Sequence, residues 1–374
     1  MQNPSLKSAY IHVPFCKNIC SYCDFCKNYY NEKIVLSYLE ALEDEIKENY
    51  KGDALKTLYV GGGTPSCLSI KELDILFKII SKFNLSENYE FTFECNYEDI
   101  NDTLLRKLKE NNVNRISIGL QTFNKKFKDV LKRNIDKQEM IKKVNLAKKY
   151  FNNINIDLMY ALGNQSLKDL KQDVLDFISL KVSHISTYSL IVEENTKLFL
   201  NKIEEVDEDT QGKMYNLINN ILTSNGYKHY EISNFSLPGF ESKHNLTYWN
   251  NENYYGFGAG ASGFVSNVRY DNTRSVFNYI KGRRKIYEEK IDKNQMIKDE
   301  VMLGFRKING IDKLAFLNKY GISIDKVFNT ESLIKEGLLE ENKTSIFIPL
   351  KYLFVSNEII LKVISSYNLN YNKK

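Results

Sequence analysis

The chain has 374 residues, 43% hydrophobic and 26% charged, a balance that excludes global disorder and leaves room for one large domain plus a smaller one. Its 52 basic and 47 acidic residues leave a net charge of +5 without a dense Lys/Arg block, so nucleic-acid binding is not indicated. No run reaches the ~18 apolar residues a membrane span needs, and the first seven residues lack the apolar core of a secretory signal. The expectation is a cytoplasmic protein with no transmembrane segment. The cluster Lys281-Gly-Arg-Arg-Lys285 reads as a solvated face, with peripheral contact to an anionic surface such as a membrane as the alternative.

Short β-branched and aromatic runs alternate with longer amphipathic stretches. Strands are expected at 9–13, 57–60, 91–94, 115–118, 155–159 and 185–190, with helices between them at 35–49, 70–83, 102–110, 137–150 and 167–180. Regular alternation argues for βαβ units and a parallel sheet. Six units suit an incomplete (β/α)6 barrel better than an open doubly wound sheet. After about residue 205 the texture changes: a helix at 210–224 leads to Tyr230-Glu-Ile-Ser-Asn-Phe235, an aromatic, Gly-rich stretch at 245–262, and then helices with a short strand pair and a Lys/Asn tail. Two domains are expected, an α/β barrel over 1–235 and a smaller α+β domain over 236–374.

In such sheets the chemistry lies on the loops after the C-terminal strand ends. The unusual residues gather there. Cysteines follow the first strand, Gly61-Gly-Gly-Thr-Pro65 the second, Glu94 ends the third, Gln121 follows the fourth, and Asp157 lies near the end of the fifth.

All six cysteines (16, 20, 23, 26, 67 and 95) fall in about the first quarter of the chain, which is not the distribution of a disulfide framework. Cys16, Cys20 and Cys23 form CxxxCxxC. Three thiolates on one loop can bind three irons of a [4Fe–4S] cubane and leave the fourth open to chelate the amino and carboxylate groups of S-adenosylmethionine (SAM). A structural zinc site usually needs a second Cys pair or Cys plus His, and no second pair occurs. Cys26 reads as a free thiol nearby; the alternative is a fourth ligand that closes the cluster. Cys67 and Cys95 read as small core residues.

Tyr10-Ile-His-Val-Pro-Phe-Cys16, Gly61-Gly-Gly-Thr-Pro-Ser66, Ile118-Gly-Leu-Gln-Thr-Phe123 and Asn155-Ile-Asp-Leu-Met-Tyr160 occur in an order that resembles the oxygen-independent coproporphyrinogen III oxidase family. The resemblance implies a radical SAM barrel with a C-terminal domain beside it, and a [4Fe–4S] cluster on Cys16, Cys20 and Cys23. It places Tyr10 near SAM, puts the expected aromatic, Tyr22, before the third cysteine, and assigns Gly62, Gly63 and Thr64 to line SAM through backbone groups. Glycine suits that role on its own account, since it has no Cβ to hold a ligand off. Glu94 is implied to accept hydrogen bonds from SAM hydroxyls. Gln121, Arg133 and Asp157 match positions around a second SAM in the oxidase branch, with structural hydrogen bonds or ion pairs as the alternative.

Within the family the chain is most similar to the heme-chaperone (HemW) branch. The oxidases carry CxxxCxxCxC, and here Phe25 stands where the fourth cysteine would be. His244-Asn-Leu-Thr-Tyr-Trp249 resembles the branch's HNxxYW motif, which implies a heme-ligating His244 with Tyr248 and Trp249 against the macrocycle. A tryptophan anchor and a hydrogen-bonding histidine are the plain alternative. His12, His184 and His229 read as structural. The chain departs from the pattern at Ile135, at Ala161-Leu-Gly-Asn164 and at Pro349-Leu-Lys-Tyr352. The implied function is a radical SAM protein that binds heme and transfers it to apo-proteins. SAM-dependent decarboxylation of coproporphyrinogen III propionates is the alternative, and an iron–sulfur electron carrier without SAM the third.

Overall fold

The computed structural model describes residues 6–194 and 196–368, so the Lys/Asn tail from 369 onward lies outside the described residues. Six strands run parallel in chain order, each followed by a helix. They are β1 (Ser8–Val13), β2 (Ala54–Gly62), β3 (Asn84–Asn96), β4 (Arg115–Gln121), β5 (Asn153–Tyr160) and β6 (His184–Ser189). Their helices are α1 (Glu32–Asn49), α2 (Ile70–Ile80), α3 (Asp102–Glu110), α4 (Lys137–Ala147), α5 (Leu167–Ser179) and α6 (Glu208–Ser224). Three further strands, β7 (Lys228–Glu231), β8 (Asn234–Ser236) and β9 (Tyr255–Phe257), complete a nine-stranded sheet in the order β9-β1-β2-β3-β4-β5-β6-β8-β7. β9 lies parallel to β1, whereas β8 is antiparallel to both β6 and β7. The two edge strands do not pair with each other, so the (β/α)6 barrel is incomplete.

Local chemistry sets the helix starts. The side chains of Asn31, Ser69, Asn101, Asp136, Ser166 and Asp207 accept the first free N–H groups of α1 to α6. Ser69 with Glu72, and Ser166 with Asp169, close reciprocal capping boxes.

Period-two alternation sorts the strand residues. In β4, Ile116, Ile118 and Leu120 pack outward into the main core, while Arg115, Ser117 and Gln121 line the lumen. In β3 the outward residues are Phe91 and Phe93, and the lumen receives Glu94 and Asn96. Barrels of this general kind fill their interiors with branched apolar side chains. This one keeps its lumen polar.

The main core runs on past residue 236, where the second domain is expected to start: Tyr255, Phe257, Val276 and Tyr279 all belong to it. A separate core forms between Ile297 and Val363 around Phe305, Phe316, Leu339 and Ile360. Strand β9 is supplied by the Gly-rich stretch that the sequence left without a role. The short helix α7 (Lys243–Trp249) plugs the barrel from the N-terminal end of its strands. Glu90 of β3 accepts the backbone N–H of both Lys243 and His244, and the Thr247 hydroxyl meets that of Ser8 on β1.

Candidate cofactor site

The C-terminal strand ends open into a cavity of about 580 Å³. Cys16, Cys20 and Cys23 all line it, together with Tyr22, Gly62, Gly63, Thr64, Glu94, Gln121, Arg133 and Asp157. Of the cluster, SAM and heme candidates singled out from sequence, Tyr10, Cys26, His244, Tyr248 and Trp249 stand outside this lining.

Backbone hydrogen bonds fix the cysteine loop to the glycine turn. Gly63 N–H donates to the Val13 carbonyl at 2.9 Å and Thr64 N–H to the Phe15 carbonyl at 2.8 Å. The glycines are required by this close approach. A Cβ on Gly63 would lie 2.8 Å from the Phe15 backbone, and one on Gly62, at φ +116°, 2.7 Å from the His12 ring. The two glycines are thus explained by neighbouring protein atoms, and they still face the cavity. His12 continues the same brace. Its Nε2 donates to the Cys26 carbonyl at 2.8 Å, which leaves Nδ1 to accept from the Tyr10 hydroxyl at 2.9 Å. Burial holds the His12 pKa near 4, so the imidazole stays neutral and this tautomer persists. Tyr10 therefore reaches the cysteine loop through His12.

Two of the three sulfurs have side-chain hydrogen-bond donors. The Thr64 hydroxyl lies 3.4 Å from Cys16 Sγ, and Arg133 Nη1 lies 3.4 Å from Cys20 Sγ. Arg133 is held in that position by Nη2, which donates to Asn96 Oδ1 and the Gly119 carbonyl, both at 2.8 Å. Burial pushes the Cys16 thiol up to about 11, so binding a metal there displaces a proton. The thiols surround a shared space. No group of three His, Cys, Asp or Glu among the described residues draws close enough to hold a single ion. A cubane, whose ligands sit at separate corners, fits this arrangement and its donors to sulfur, and such donors set cluster potentials. Cys26 is outside the lining. Its thiol donates to the Arg274 carbonyl at 3.1 Å and packs against Gly260.

On the opposite wall Glu94 accepts from the Tyr59 hydroxyl at 2.7 Å and the Gly62 N–H at 3.0 Å. Burial, helped by the Asp157 charge, raises its pKa to about 7, against the lowering effect of those two donors. Asp157 accepts from Asn155 at 2.8 Å, and burial raises its pKa to about 6. Gln121 sits just beyond a register break in β4, at φ +72°, a left-handed conformation that turns it into the cavity. The altered turn after β5 keeps left-handed geometry at Ala161 (φ +56°) and Asn164 (φ +59°).

His244, expected from its motif as a heme ligand, lies on α7 at the floor of the lumen. It is 1% exposed inside the floor plug. Nδ1 shares a hydrogen bond with the Thr57 hydroxyl at 2.8 Å and Nε2 with the Tyr248 hydroxyl at 2.8 Å, so both ring nitrogens have partners within the protein. Burial, with the nearby Arg115 charge, pushes its pKa down to about 3 and keeps the ring neutral. The Trp249 ring faces the Arg306 guanidinium at 5.8 Å, which ties the plug to the smaller core. His184 and His229 are likewise buried, in contact with Asn155 and Tyr230 and stacked on Phe235 respectively.

Sequence reasoning missed Tyr59, Arg115, Ser117, Asn155, Ser186 and Asn245, which line the same cavity. For all but Asn245, which lies on α7, the signal was present as polar residues at every second position of strands whose other positions are apolar.

Comparison with known proteins bears on this site. Residues 10–177 match the Radical SAM superfamily and 291–351 the HemN C-terminal domain. Over 97% of this chain and 98% of its own length, the heme chaperone HemW of Lactococcus lactis is 40% identical. That of Bacillus subtilis is 37% identical over 95% and 98%. Among solved structures, the coproporphyrinogen III oxidase of Escherichia coli, a radical SAM enzyme, superposes with a TM-score of 0.83 at 20% identity. That match covers 97% of this chain and 91% of the oxidase, a likeness of fold.

Proposed function

Since this chain belongs to the radical SAM family, in the group of its members named heme chaperone HemW, we propose that it binds heme and hands it to apo-proteins. Cys16, Cys20 and Cys23 would hold the [4Fe–4S] cluster. The glycine turn Gly62–Gly63 with Thr64, and Glu94 opposite, would hold SAM. When bound, that pair supplies one-electron reductive cleavage of the sulfonium. The residues themselves do simpler work. Thr64 and Arg133 stabilise thiolate charge, Gly62 and Tyr59 orient the Glu94 carboxylate, and Glu94 offers its oxygens to hydroxyl donors.

The observation that carries the heme reading, beside the family, is the rim of the cavity. Phe25, Ile191 and Tyr188 line its mouth and are 69%, 57% and 44% exposed. Exposed apolar groups around a polar cavity suit a flat apolar ligand that must be released again. Phe25 also occupies the slot where the oxidases resembled in sequence carry a cysteine. A cytoplasmic site of action and heme-accepting apo-proteins as partners belong to the same reading. Among the described residues no helix is long and apolar enough to cross a membrane. Exposed Phe277 and Ile286 beside the basic stretch 281–285 suit peripheral contact with a membrane carrying the recipient.

Heme titration of anaerobically reconstituted protein, followed at the Soret band, tests the reading. Saturable binding of about one heme is expected, weakened at least tenfold in Phe25→Asp/Ile191→Asp and spectrally unaltered in His244→Ala. Absence of specific binding in the intact protein would overturn it and turn attention to porphyrinogen decarboxylation.

A further inference from the structure

The lumen floor holds a cation that the cofactor site does not use. Arg115, the first residue of β4, is 2% exposed and lines the cavity. Its guanidinium has five N–H donors. The hydrogen bond it makes runs from Nη1 to the Thr92 hydroxyl, at a long 3.4 Å. Its buried Nε has no partner. Among the described residues it forms no ion pair: Glu94 and Asp157 face the same space and influence it only from a distance. A buried charge left unpaired is costly, and a buried donor without a protein partner calls for an acceptor.

Around it the floor is built for an acceptor. Ser117, Asn155 and Ser186 line the cavity beside it, and Asn245 of α7 closes it from below. Asn155 is itself oriented: its amide donates to Ser117 Oγ at 2.8 Å and to Asp157, and its carbonyl oxygen takes the Ser186 hydroxyl at 3.0 Å. The neighbouring histidines are neutral, His184 because burial lowers its pKa well below the usual range, and His244 for the reason given above. Arg115 is therefore the positive charge of the floor, and the Ser117 hydroxyl, oriented by the Asn155 amide, adds a donor beside it.

We propose that Arg115 and the hydroxyl of Ser117, which accepts from Asn155 and keeps its own hydrogen to donate, form a binding site for the carboxylate of a ligand that enters the lumen from the cysteine side. A guanidinium fork pairs with a carboxylate through two parallel N–H···O bonds, and Nε is one of the donors such a pair uses. The acid has two sources with the same chemistry. It is a propionate arm of heme, in which case the site rests on the function proposed above, or it is a small free carboxylic acid bound beneath SAM.

The test uses cluster-loaded, SAM-bound full-length protein. Carbon-13-labelled propionate is titrated by NMR, and heme is compared with its dimethyl ester at the Soret band. If the site accepts a free acid, propionate binds saturably to the wild type and loses at least tenfold in affinity in Arg115→Gln. If the acid is the heme's own, wild type prefers heme to the diester by tenfold or more and Arg115→Gln abolishes that preference while diester affinity holds. Arg115→Lys, which keeps the charge and loses the fork, should fall between the two and serves if the glutamine variant does not fold. Folding is read from iron content and the unfolding midpoint. Equal binding of heme and diester in wild type and folded variants, with no propionate response, overturns the site and leaves the heme reading standing. If neither porphyrin binds, the heme reading fails, and propionate alone then decides the site.

Discussion

The two faces of the same six strands have opposite chemistry. Outward, Ile118 and Phe93 are fully buried against the helices, Phe93 meeting Phe77 of α2 with ring centroids 5.9 Å apart. Inward, one residue away, Ser117 and Glu94 face a cavity. The outer face follows the rule that apolar burial stabilises a fold, by about 25 cal/mol per Å². The inner face gives up that gain, and its polar groups are satisfied by one another and by whatever enters. Stability and function are thus separated by the pleat of a strand.

Substitution can break this separation or sharpen it. Phe93→Ala, on the outer face, should cost about 3–5 kcal/mol by leaving a cavity, measured as a lower denaturant midpoint. Glu94→Gln, on the inner face, should do the reverse at high pH. The Glu94 pKa is raised to about 7, so the folded state binds a proton more tightly than the unfolded chain. Its contribution therefore declines as pH rises from about 4.5 toward 7, and the glutamine variant should recover about 1–3 kcal/mol at pH 8 relative to pH 5. Denaturation midpoints at the two pH values read this, and SAM affinity should fall in the same variant. Thr57→Val removes one of the two partners of His244 and should cost about 1–2 kcal/mol, with the Soret maximum of the heme complex unmoved. A displaced maximum would return His244 to the iron. Cys26→Ser should have the smallest effect, full iron content with stability lowered by about 1 kcal/mol or less. Loss of iron would make Cys26 a ligand after all.

Much of the fold was legible because β-branched runs and capped amphipathic helices announce themselves. The helix expected at 102–110 is α3 residue for residue, and the six expected strands overlap β1 to β6. Where boundaries missed, the cause was polar sequence. Asn84–Glu90 extends β3 through a stretch with little apolar signal, and β9 is three residues long and depends on Ala9 to Ile11 for its register. The cysteine loop and glycine turn were legible as chemistry at strand ends. The lumen floor was not, since Arg115 looks like any strand-initiating arginine until Ser117, Asn155 and Ser186 surround it. The surroundings of His244 were hidden for a related reason. Its motif displays an imidazole, while the hydroxyl that occupies Nδ1 comes from Thr57, 187 residues earlier in the chain.

The floor plug also orders events in time. Ser8 and Thr247 meet across 239 residues of sequence, and β9, which covers the outer edge of β1, follows a few residues later. At about 5–20 residues per second of synthesis, the cysteine loop emerges roughly 10–50 s before the segments that seal the lumen and shield that edge. Through this interval the nascent barrel is open at both ends and β1 carries an unpaired edge, a template for mispairing. The half-made protein is thus at its most accessible to iron–sulfur delivery and at its most vulnerable to aggregation during the same half-minute.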